Sequence, residues 1–238
     1  LHDEEMQNRF RNMLKPFYGV LKTMDRAIRF ALLTGVTKFG KVSVFSDLNN
    51  LDDISMREPY AAICGITETE LRTHFDEDIH TLASALERTY EEARSLLRKR
   101  YDGYHFVAGG PGIYNPFSLL NTFKYMRPED YWFETGTPSY LVELLKHTHY
   151  DLYELANTET DADVLNSIDS TSSNPVPVIY QSGYLTIKDY DSRFGIYKLG
   201  FPNLEVEEGF VKYLLPFYTS VSAPKTPFEI GRFVREVE

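Results

Sequence analysis

The stretch Arg29-Phe-Ala-Leu-Leu-Thr-Gly-Val-Thr-Lys-Phe-Gly-Lys41 decides how this chain is interpreted, because an apolar run leads directly into a glycine-bearing loop. Its glycines and last lysine fit the G-x-x-x-x-G-K spacing of a phosphate-binding loop, which also requires a Ser or Thr next and a helix start. Val42 has no hydroxyl, and Val42-Ser-Val-Phe-Ser46 has the pattern of a strand or loop. We therefore interpret Ile28 to Leu33 as a core strand of an α/β sheet that ends in a polar loop, where such sheets bind ligands.

The composition is that of a folded, acidic protein without disulfide bonds. The chain has 238 residues, of which 42% are hydrophobic and 14% aromatic, enough to bury a sizeable core. Its formal net charge of −10 repels polyanions, so nucleic-acid contact would require a local basic patch. The single cysteine, Cys64, excludes an internal disulfide, and no apolar run reaches the ~20 residues of a membrane span. We expect a cytoplasmic protein without contact to a membrane.

The two ends of the sequence predict that the chain is a fragment of a longer protein. It starts at Leu1 without a methionine, directly at an acidic helix start. It ends in the charged segment Phe233-Val-Arg-Glu-Val-Glu238. We expect further residues on both sides.

Apolar spacing and capping residues predict a mainly helical first half. Apolar residues three and four positions apart predict an amphipathic helix from about Asp3 to Met24. Thr67-Glu-Thr-Glu70 has the sequence of a capping box and precedes a long helical region that ends at Arg98-Lys-Arg100. After a turn and a glycine-rich loop, Asn115 or Pro116 begins another helix.

The last third has the pattern of a helix, a β-hairpin and a second helix. A linker rich in Ser, Thr, Asn and Pro spans Asp169 to Pro177 and precedes a short helix from Val178 to Tyr184. Leu185 to Ile187 and Gly195 to Leu199 flank a turn and predict the two strands of a hairpin. A helix from Glu205 to Leu215 completes a unit that is winged-helix-like.

Six blocks of sequence, in one order, resemble a known family. They resemble the predicted AAA-ATPase-like proteins of Bacteroides-type gut bacteria, over about residues 1 to 220. In that family a P-loop and a Walker B strand precede the region resembled here, and a nuclease-like domain commonly follows. The blocks are Phe30-Ala-Leu-Leu-Thr-Gly-Val-Thr37, Phe45-Ser-Asp-Leu-Asn-Asn-Leu51, Cys64-Gly-Ile-Thr-Glu68, Arg100-Tyr-Asp-Gly-Tyr-His-Phe106, Ile113-Tyr-Asn-Pro-Phe-Ser118 and Tyr131-Trp-Phe-Glu-Thr-Gly-Thr-Pro-Ser139.

The resemblance implies a fold and four divisions of the chain. The fold would be an α/β remnant of a P-loop ATPase core, a mainly α-helical lid subdomain and a winged-helix-like α+β subdomain. The core remnant would occupy residues 1–65, the lid 66–168 and the winged-helix-like subdomain 169–220. Residues 221–238 would be a linker towards a C-terminal domain.

The resemblance also assigns residues next to a nucleotide site. Ile28 to Leu33 resembles the strand after Walker B, whose end carries a sensor-type polar residue, so Thr34, Thr37 and Lys38 would be sensor-like contacts. ATP and Mg²⁺ would bind in the full-length protein. This fragment contains no catalytic residue of its own, because no apolar strand ends in an acidic pair and no lysine follows an acidic residue by two positions. We expect it to bind no cofactor and to be inert alone.

The strongest basic patch is the cluster of Arg94, Arg98, Lys99 and Arg100, and it has two interpretations. As the last turn of a helix it places cations where the helix dipole favours them. It could also contact phosphate, either of a nucleotide or of nucleic acid. The aromatic residues Tyr101, Tyr104, Tyr114 and Trp132 could stack on bases, but packing of the helices explains them more simply. His147-Thr-His149 lacks a further ligand at suitable spacing, so we expect no metal site.

Two functions from different classes remain open. The first is a nucleotide-dependent switch or regulatory region of a nuclease-linked ATPase, lacking its own Walker A and B motifs and working with a nuclease-like domain in cis. The alternative is a non-enzymatic winged-helix module that contacts protein or DNA through the hairpin and the helix before it. That helix has no Arg or Lys between Val178 and Tyr184, which argues against major-groove readout.

Overall fold

The computed structural model describes residues 4–35, 51–136, 145, 158–166 and 174–218. Several predicted features lie outside these residues: the sensor-like positions Thr37 and Lys38, the histidines His147 and His149, and the residues that follow 218. Within the described residues the helices are α1 Glu4–Thr23, α2 Glu68–His74, α3 Asp76–Ala85, α4 Tyr90–Tyr101, α5 Pro116–Tyr125, α6 Tyr131–Gly136, α7 Ala162–Asn166, α8 Val176–Gln181 and α9 Leu204–Tyr218. The strands are β1 Ile66–Thr67, β2 Ile113–Tyr114, β3 Glu159–Asp161, β4 Thr186–Asp191 and β5 Ile196–Gly200.

The predicted N-terminal amphipathic helix is confirmed as α1, which continues through Pro16. Its apolar residues recur every three or four positions and therefore share one face of the helix. That face is solvent-exposed: Phe10 is 57%, Met13 65% and Phe17 68% exposed. Such a stripe normally packs against a core, and no described residue buries it here.

The predicted strand from Ile28 to Leu33 is wrong for the described chain. The backbone turns after α1 and then runs irregularly from Arg29 to Gly35, with every side chain in that run exposed. A core strand needs neighbouring strands to pair its N–H and C=O groups. The two sheets of the described residues contain no strand that pairs with this segment.

The capping box at Thr67 is confirmed, but the long helical region after it is three helices. The Thr67 hydroxyl accepts from Glu70 N, while Glu70 Oε2 accepts from Thr67 N at 2.9 Å. The chain leaves the helical conformation at Phe75, and Glu87 has a φ of 54°. Thr89 then begins α4 with a second capping box that the sequence analysis missed. The sequence did not reveal these breaks, because the spacing of apolar residues continues across the ends of the three helices.

The first core lies between α2, α3, α4 and α5. α5 begins as predicted, with Asn115 Oδ1 accepting from the Phe117 and Ser118 N–H groups and Pro116 in the first helical position. A short antiparallel pair, β1 with β2, ties the start of α2 to the start of α5. The fully buried members of this core include Leu71, Ile79, Leu82, Leu97, Tyr101, Tyr114 and Leu119.

The second core confirms a helix, a hairpin and a second helix, and adds a strand. β4 and β5 pair antiparallel, with a register shift between Ile187 and Asp189, and β3 joins the other edge of β5. α8 packs before the hairpin and α9 after it. The core contains residues from both sides of the expected boundary at 168/169: Phe133, Leu145, Leu165, Val176, Ile179, Tyr184, Leu185, Ile187, Leu199, Val206 and Phe210. The described chain is thus a mixed α/β structure with small antiparallel sheets.

Candidate functional site

A cleft lies where α4 ends, α2 begins and the glycine-rich loop folds back. Its volume is about 460 Å³. The cleft is lined by Thr67, Glu68, Thr69, Arg98, Lys99, Asp102, Gly103, His105, Pro111, Gly112 and Pro202. It therefore gathers residues from both halves of the described chain.

Two glycines allow the chain to form this cleft. Gly103 has a φ of 105°, in the left-handed region, and a Cβ there would overlap the carbonyl oxygen of Pro202. A Cβ on Gly112 would lie 2.8 Å from Asp102 Oδ1. The turn Asp102-Gly103 thus lets the loop approach the segment before α9 closely, and the Asp-Gly pair was the sequence signal for it.

The two carboxylates of the cleft already have partners. Glu68 accepts from Arg94 Nε at 2.9 Å and from the Tyr114 hydroxyl at 2.5 Å. Burial and that hydrogen bond raise the pKa of Tyr114 far above its ordinary value. Asp102 accepts from the Gly103 N–H at 2.7 Å, and burial raises the pKa of its carboxyl. Both carboxylates are therefore held by the fold.

The cations of the cleft are less engaged. Arg98 Nε lies 3.7 Å from Asp102 Oδ2, and the Arg98 side chain is 68% exposed. Lys99 is exposed and makes no ion pair or hydrogen bond with a residue in the described ranges. Lys188 contacts the cleft residue Pro202 from behind: its Nζ donates to Pro202 O at 3.2 Å, and burial lowers the pKa of that amine. The lining thus carries two cations and two carboxylates, and the cations are the less engaged pair.

His105 adds an imidazole ring to the cleft. Its Nδ1 lies 3.0 Å from Gly110 O, and a carbonyl can only accept, so Nδ1 carries the proton. The backbone of His105 is fixed by Thr186, whose hydroxyl accepts from His105 N at 2.7 Å and donates to His105 O at 3.0 Å. The glycine-rich loop and β4 thus hold the ring and the backbone of His105 in place at the cleft.

The structure separates Arg100 from Arg98 and Lys99. The Arg100 side chain is 16% exposed and forms an ion pair with Asp130 and a longer one with Glu208, at 3.5 Å. Lys212 approaches the same two carboxylates, at 3.3 and 3.7 Å. These four residues join α4, the loop before α6 and α9. Of the three candidate phosphate contacts, Arg98 and Lys99 therefore lie at the cleft and Arg100 is a structural arginine.

Glu205 is a buried acid that the sequence analysis missed. It is 0% exposed, and its Oε1 accepts from Ser118 Oγ and from Trp132 N, both at 2.8 Å. Its Oε2 has no hydrogen-bond partner. Burial is the main cause that raises the pKa of Glu205 to about 7, since the Ser118 and Trp132 hydrogen bonds act in the opposite direction. A glutamate in the first turn of a helix normally indicates a surface position, so no sequence signal marked it.

Among the other predicted site residues, Thr34 lies in the exposed irregular segment. Its sensor-like role depends on the absent strand and stays a prediction. Tyr101 and Tyr114 are 0% exposed, which confirms packing rather than base stacking for these two rings. Tyr101 donates to Glu129 O at 2.9 Å and accepts from Thr122 Oγ1 at 2.8 Å. Burial raises the pKa of Tyr101 to about 12.

The donor set for ATP with Mg²⁺ is not found in the part of the chain that the structure describes. No three His, Cys, Asp or Glu side chains lie close enough there to hold a metal ion. Of the three sensor-like positions, Thr34 alone lies within those residues, and it is not among the residues that line the cleft. We therefore assign no step of nucleotide chemistry to these side chains. No helix among them is both long and apolar enough to cross a bilayer.

Comparisons with known proteins separate the start of the chain from the cleft. Residues 1–45 match the model of a family described as Predicted AAA-ATPase. The chain is also 38% identical, over 217 residues, to a protein of Azotobacter chroococcum mcd 1 described as an uncharacterized protein in the vnfD 5′ region. That alignment covers 90% of this chain and 40% of the relative. No solved structure matches the chain.

The family match confirms a similarity to predicted AAA-ATPases over residues 1–45, and the description of the relative names no family. The family match covers α1 and the exposed segment after it. It ends at residue 45, before the helices α2 to α5 of the first core. The match to the relative continues through most of the chain, including both cores by its length. The chain spans about 40% of the length of that relative. A nuclease fusion and the Bacteroides-type source stay predictions of the resemblance.

Proposed function

We propose that the chain is a regulatory part of an ATPase-related protein, a nucleotide-dependent switch whose first 45 residues contribute to an AAA-ATPase core. The observation that supports this most directly is the place of the family match. It covers residues 1–45, the part of the chain in which α1 exposes its apolar face. The residues similar to predicted AAA-ATPases are thus the same residues that carry an uncovered apolar surface.

The exposed face of α1 gives the proposal its physical argument. Phe10, Met13 and Phe17 are each more than half exposed, on one stripe of a single helix. Leaving such large apolar side chains in water costs about 1.5–3 kcal/mol each relative to burial. In the proposed protein this stripe packs inside the α/β core that binds ATP and Mg²⁺, to which residues 1–45 contribute together with residues outside this sequence.

The remaining residues would transmit the state of that core. In this proposal residues 66–168 act as a helical lid and residues 169–220 as a winged-helix-like unit, next to a nuclease-like domain in the cytoplasm. The supporting contact is the ion-pair group of Arg100, Asp130, Glu208 and Lys212, which joins α4 to α9. A movement of the lid would therefore reach the unit that contains the hairpin.

Two measurements test the proposal on the full gene product that carries this chain. Methionine oxidation, followed by mass spectrometry, should modify Met6 and Met13 in the 238-residue chain and protect them in the full product. Met126, which packs against the first core in both, is the internal control. ATP with Mg²⁺ should raise the melting temperature of the full product. Equal oxidation of Met6 and Met13 in both proteins, or no nucleotide-dependent shift, would contradict the proposal.

The helix, hairpin and helix of the second core favour a second candidate, a non-enzymatic interaction module. At the hairpin turn Phe194 is 63% exposed, with Arg193 over its ring at 5.0 Å from the centroid. α8 contains no Lys or Arg, so this candidate contacts protein rather than the DNA major groove. Gel retardation of DNA at low salt tests it: retardation that Arg193→Gln abolishes would replace protein contact with DNA contact through the hairpin.

A further inference from the structure

The cleft at the end of α4 combines a suitable size with two cationic side chains that have few internal partners. At about 460 Å³ it falls within the ~300–1,000 Å³ typical of small-molecule sites. Its lining carries two cations, Arg98 and Lys99, and two carboxylates, Glu68 and Asp102. Behind the lining, Arg94 pairs with Glu68 and Glu91, and Lys188 lies near Glu207 and Asp102. The ligand is therefore decided by which of these groups the fold has already engaged.

We propose that this cleft binds the phosphate group of a small phosphorylated ligand, through Arg98 and Lys99. Arg94 is already committed to Glu68, and Lys188 to the carbonyl of Pro202. Arg98 meets Asp102 only through Nε, at 3.7 Å, so its Nη donors point to no described partner. A guanidinium with free Nη groups can grip two phosphate oxygens at once, and a neighbouring lysine adds a point charge.

The fold holds the acidic residues so that they do not cancel these donors. Glu68 receives hydrogen bonds from Arg94 and Tyr114, which occupy its two oxygens. Asp102 is 11% exposed at its side chain and receives the Gly103 N–H. Arg98 and Lys99 are therefore the two charged residues of the lining that the fold engages least.

The same walls favour a small ligand over a nucleic-acid strand. A strand would extend along the surface, where the average charge of the protein repels it. A ligand with one or two phosphates fits inside the cleft and needs no basic stripe beyond it. This site does not depend on the proposed ATPase role.

Isothermal titration of the 238-residue chain with inorganic phosphate and with pyrophosphate, at low ionic strength, tests the proposal. The double variant Arg98→Gln/Lys99→Gln should weaken pyrophosphate binding by about tenfold to a hundredfold, the range expected for lost charge-assisted hydrogen bonds. The matched control is Lys124→Gln/Arg127→Gln, which removes the same charge from exposed positions outside the cleft and should bind as the unmodified chain does.

A second readout keeps the test independent of folding defects. Pyrophosphate should shift the backbone amide resonances of Thr67, Thr69 and Gly112, which line the cleft, and circular dichroism should show that the variants are folded. Absence of pyrophosphate binding at millimolar concentration would overturn the proposal. Unchanged affinity in Arg98→Gln/Lys99→Gln, or tighter binding of a single-stranded oligonucleotide than of pyrophosphate, would overturn it as well.

Discussion

The Oε1 atom of Glu205 accepts a hydrogen bond from Ser118 Oγ at 2.8 Å, across 87 residues of sequence. The contact ties the first turn of α9 to α5, and Trp132 N donates to the same oxygen from α6. Three helices therefore share one buried carboxyl group. This junction lies between the two cores. The charge of Glu205 therefore affects how firmly α5 and α6 are joined to α9.

The first prediction concerns the pH dependence of stability. The pKa of Glu205 is raised from 4.5 to about 7, mainly by burial, so the folded state binds this proton more tightly than the unfolded state. The resulting stabilisation is complete below about pH 4.5 and is lost as the pH rises through 7. The loss should amount to roughly 2–3 kcal/mol. Glu205→Gln keeps an oxygen for Ser118 and Trp132 and should remove this decline.

Urea denaturation of both proteins at several pH values from 5 to 8 checks this. The matched control is Glu207→Gln, which changes an exposed carboxyl two residues further along α9. The control should keep the pH dependence of the unmodified chain. A Glu205→Gln variant with the same decline would show that the junction does not titrate.

The local rules of capping and turn formation predicted much of this fold. The capping box at Thr67, the start of α5 at Asn115 and the hairpin around Gly195 each depend on residues within a few positions of one another. Such signals act through local backbone hydrogen bonds, which the sequence contains in full. Tertiary burial adds little to them, so they were found correctly.

The features that depend on distant residues were not predictable in the same way. The strand from Ile28 to Leu33 has the right composition but needs neighbouring strands, and the described residues provide none. β3 was missed because its pairing with β5 is decided by the sheet and its own sequence is polar. In the candidate site, the cluster at Arg98 was visible, but the engagement of Arg100 by Asp130 depends on a contact across 30 residues.

The second prediction concerns the cleft loop. Gly103→Ala should lower the free energy of unfolding by about 2–4 kcal/mol, because the residue has a φ of 105° and the new Cβ would overlap Pro202 O. Gly109→Ala is the control: its φ of 69° is also positive, but no atom lies within 4 Å of the new Cβ. That variant should lose only about 1 kcal/mol. If the two variants had the same urea midpoint of unfolding, the close contact between residue 103 and Pro202 O would be contradicted.

The third prediction concerns the second capping box. Thr89→Ala should destabilise the chain by about 1 kcal/mol, because it removes the acceptor of Glu92 N at the start of α4. Thr73→Ala is the matched control, since the Thr73 hydroxyl is exposed and bonds a carbonyl inside α2. It should change stability by less than about 0.5 kcal/mol, because alanine is the better helix former. The difference in urea midpoint between the two variants measures the cap.

The last prediction separates Arg100 from its neighbour Arg98. Arg100→Met should cost about 2–4 kcal/mol, because it leaves Asp130, whose side chain is 19% exposed, with Lys212 alone. Arg98→Met should be within about 0.5 kcal/mol of the unmodified chain, since that side chain is 68% exposed and pairs only at 3.7 Å. Urea denaturation of both variants gives the comparison. Because the two arginines are two positions apart on α4, helix propensity and dipole effects are matched. A similar loss in both variants would mean that the helix end, rather than the contact with Asp130 and Glu208, determines the effect.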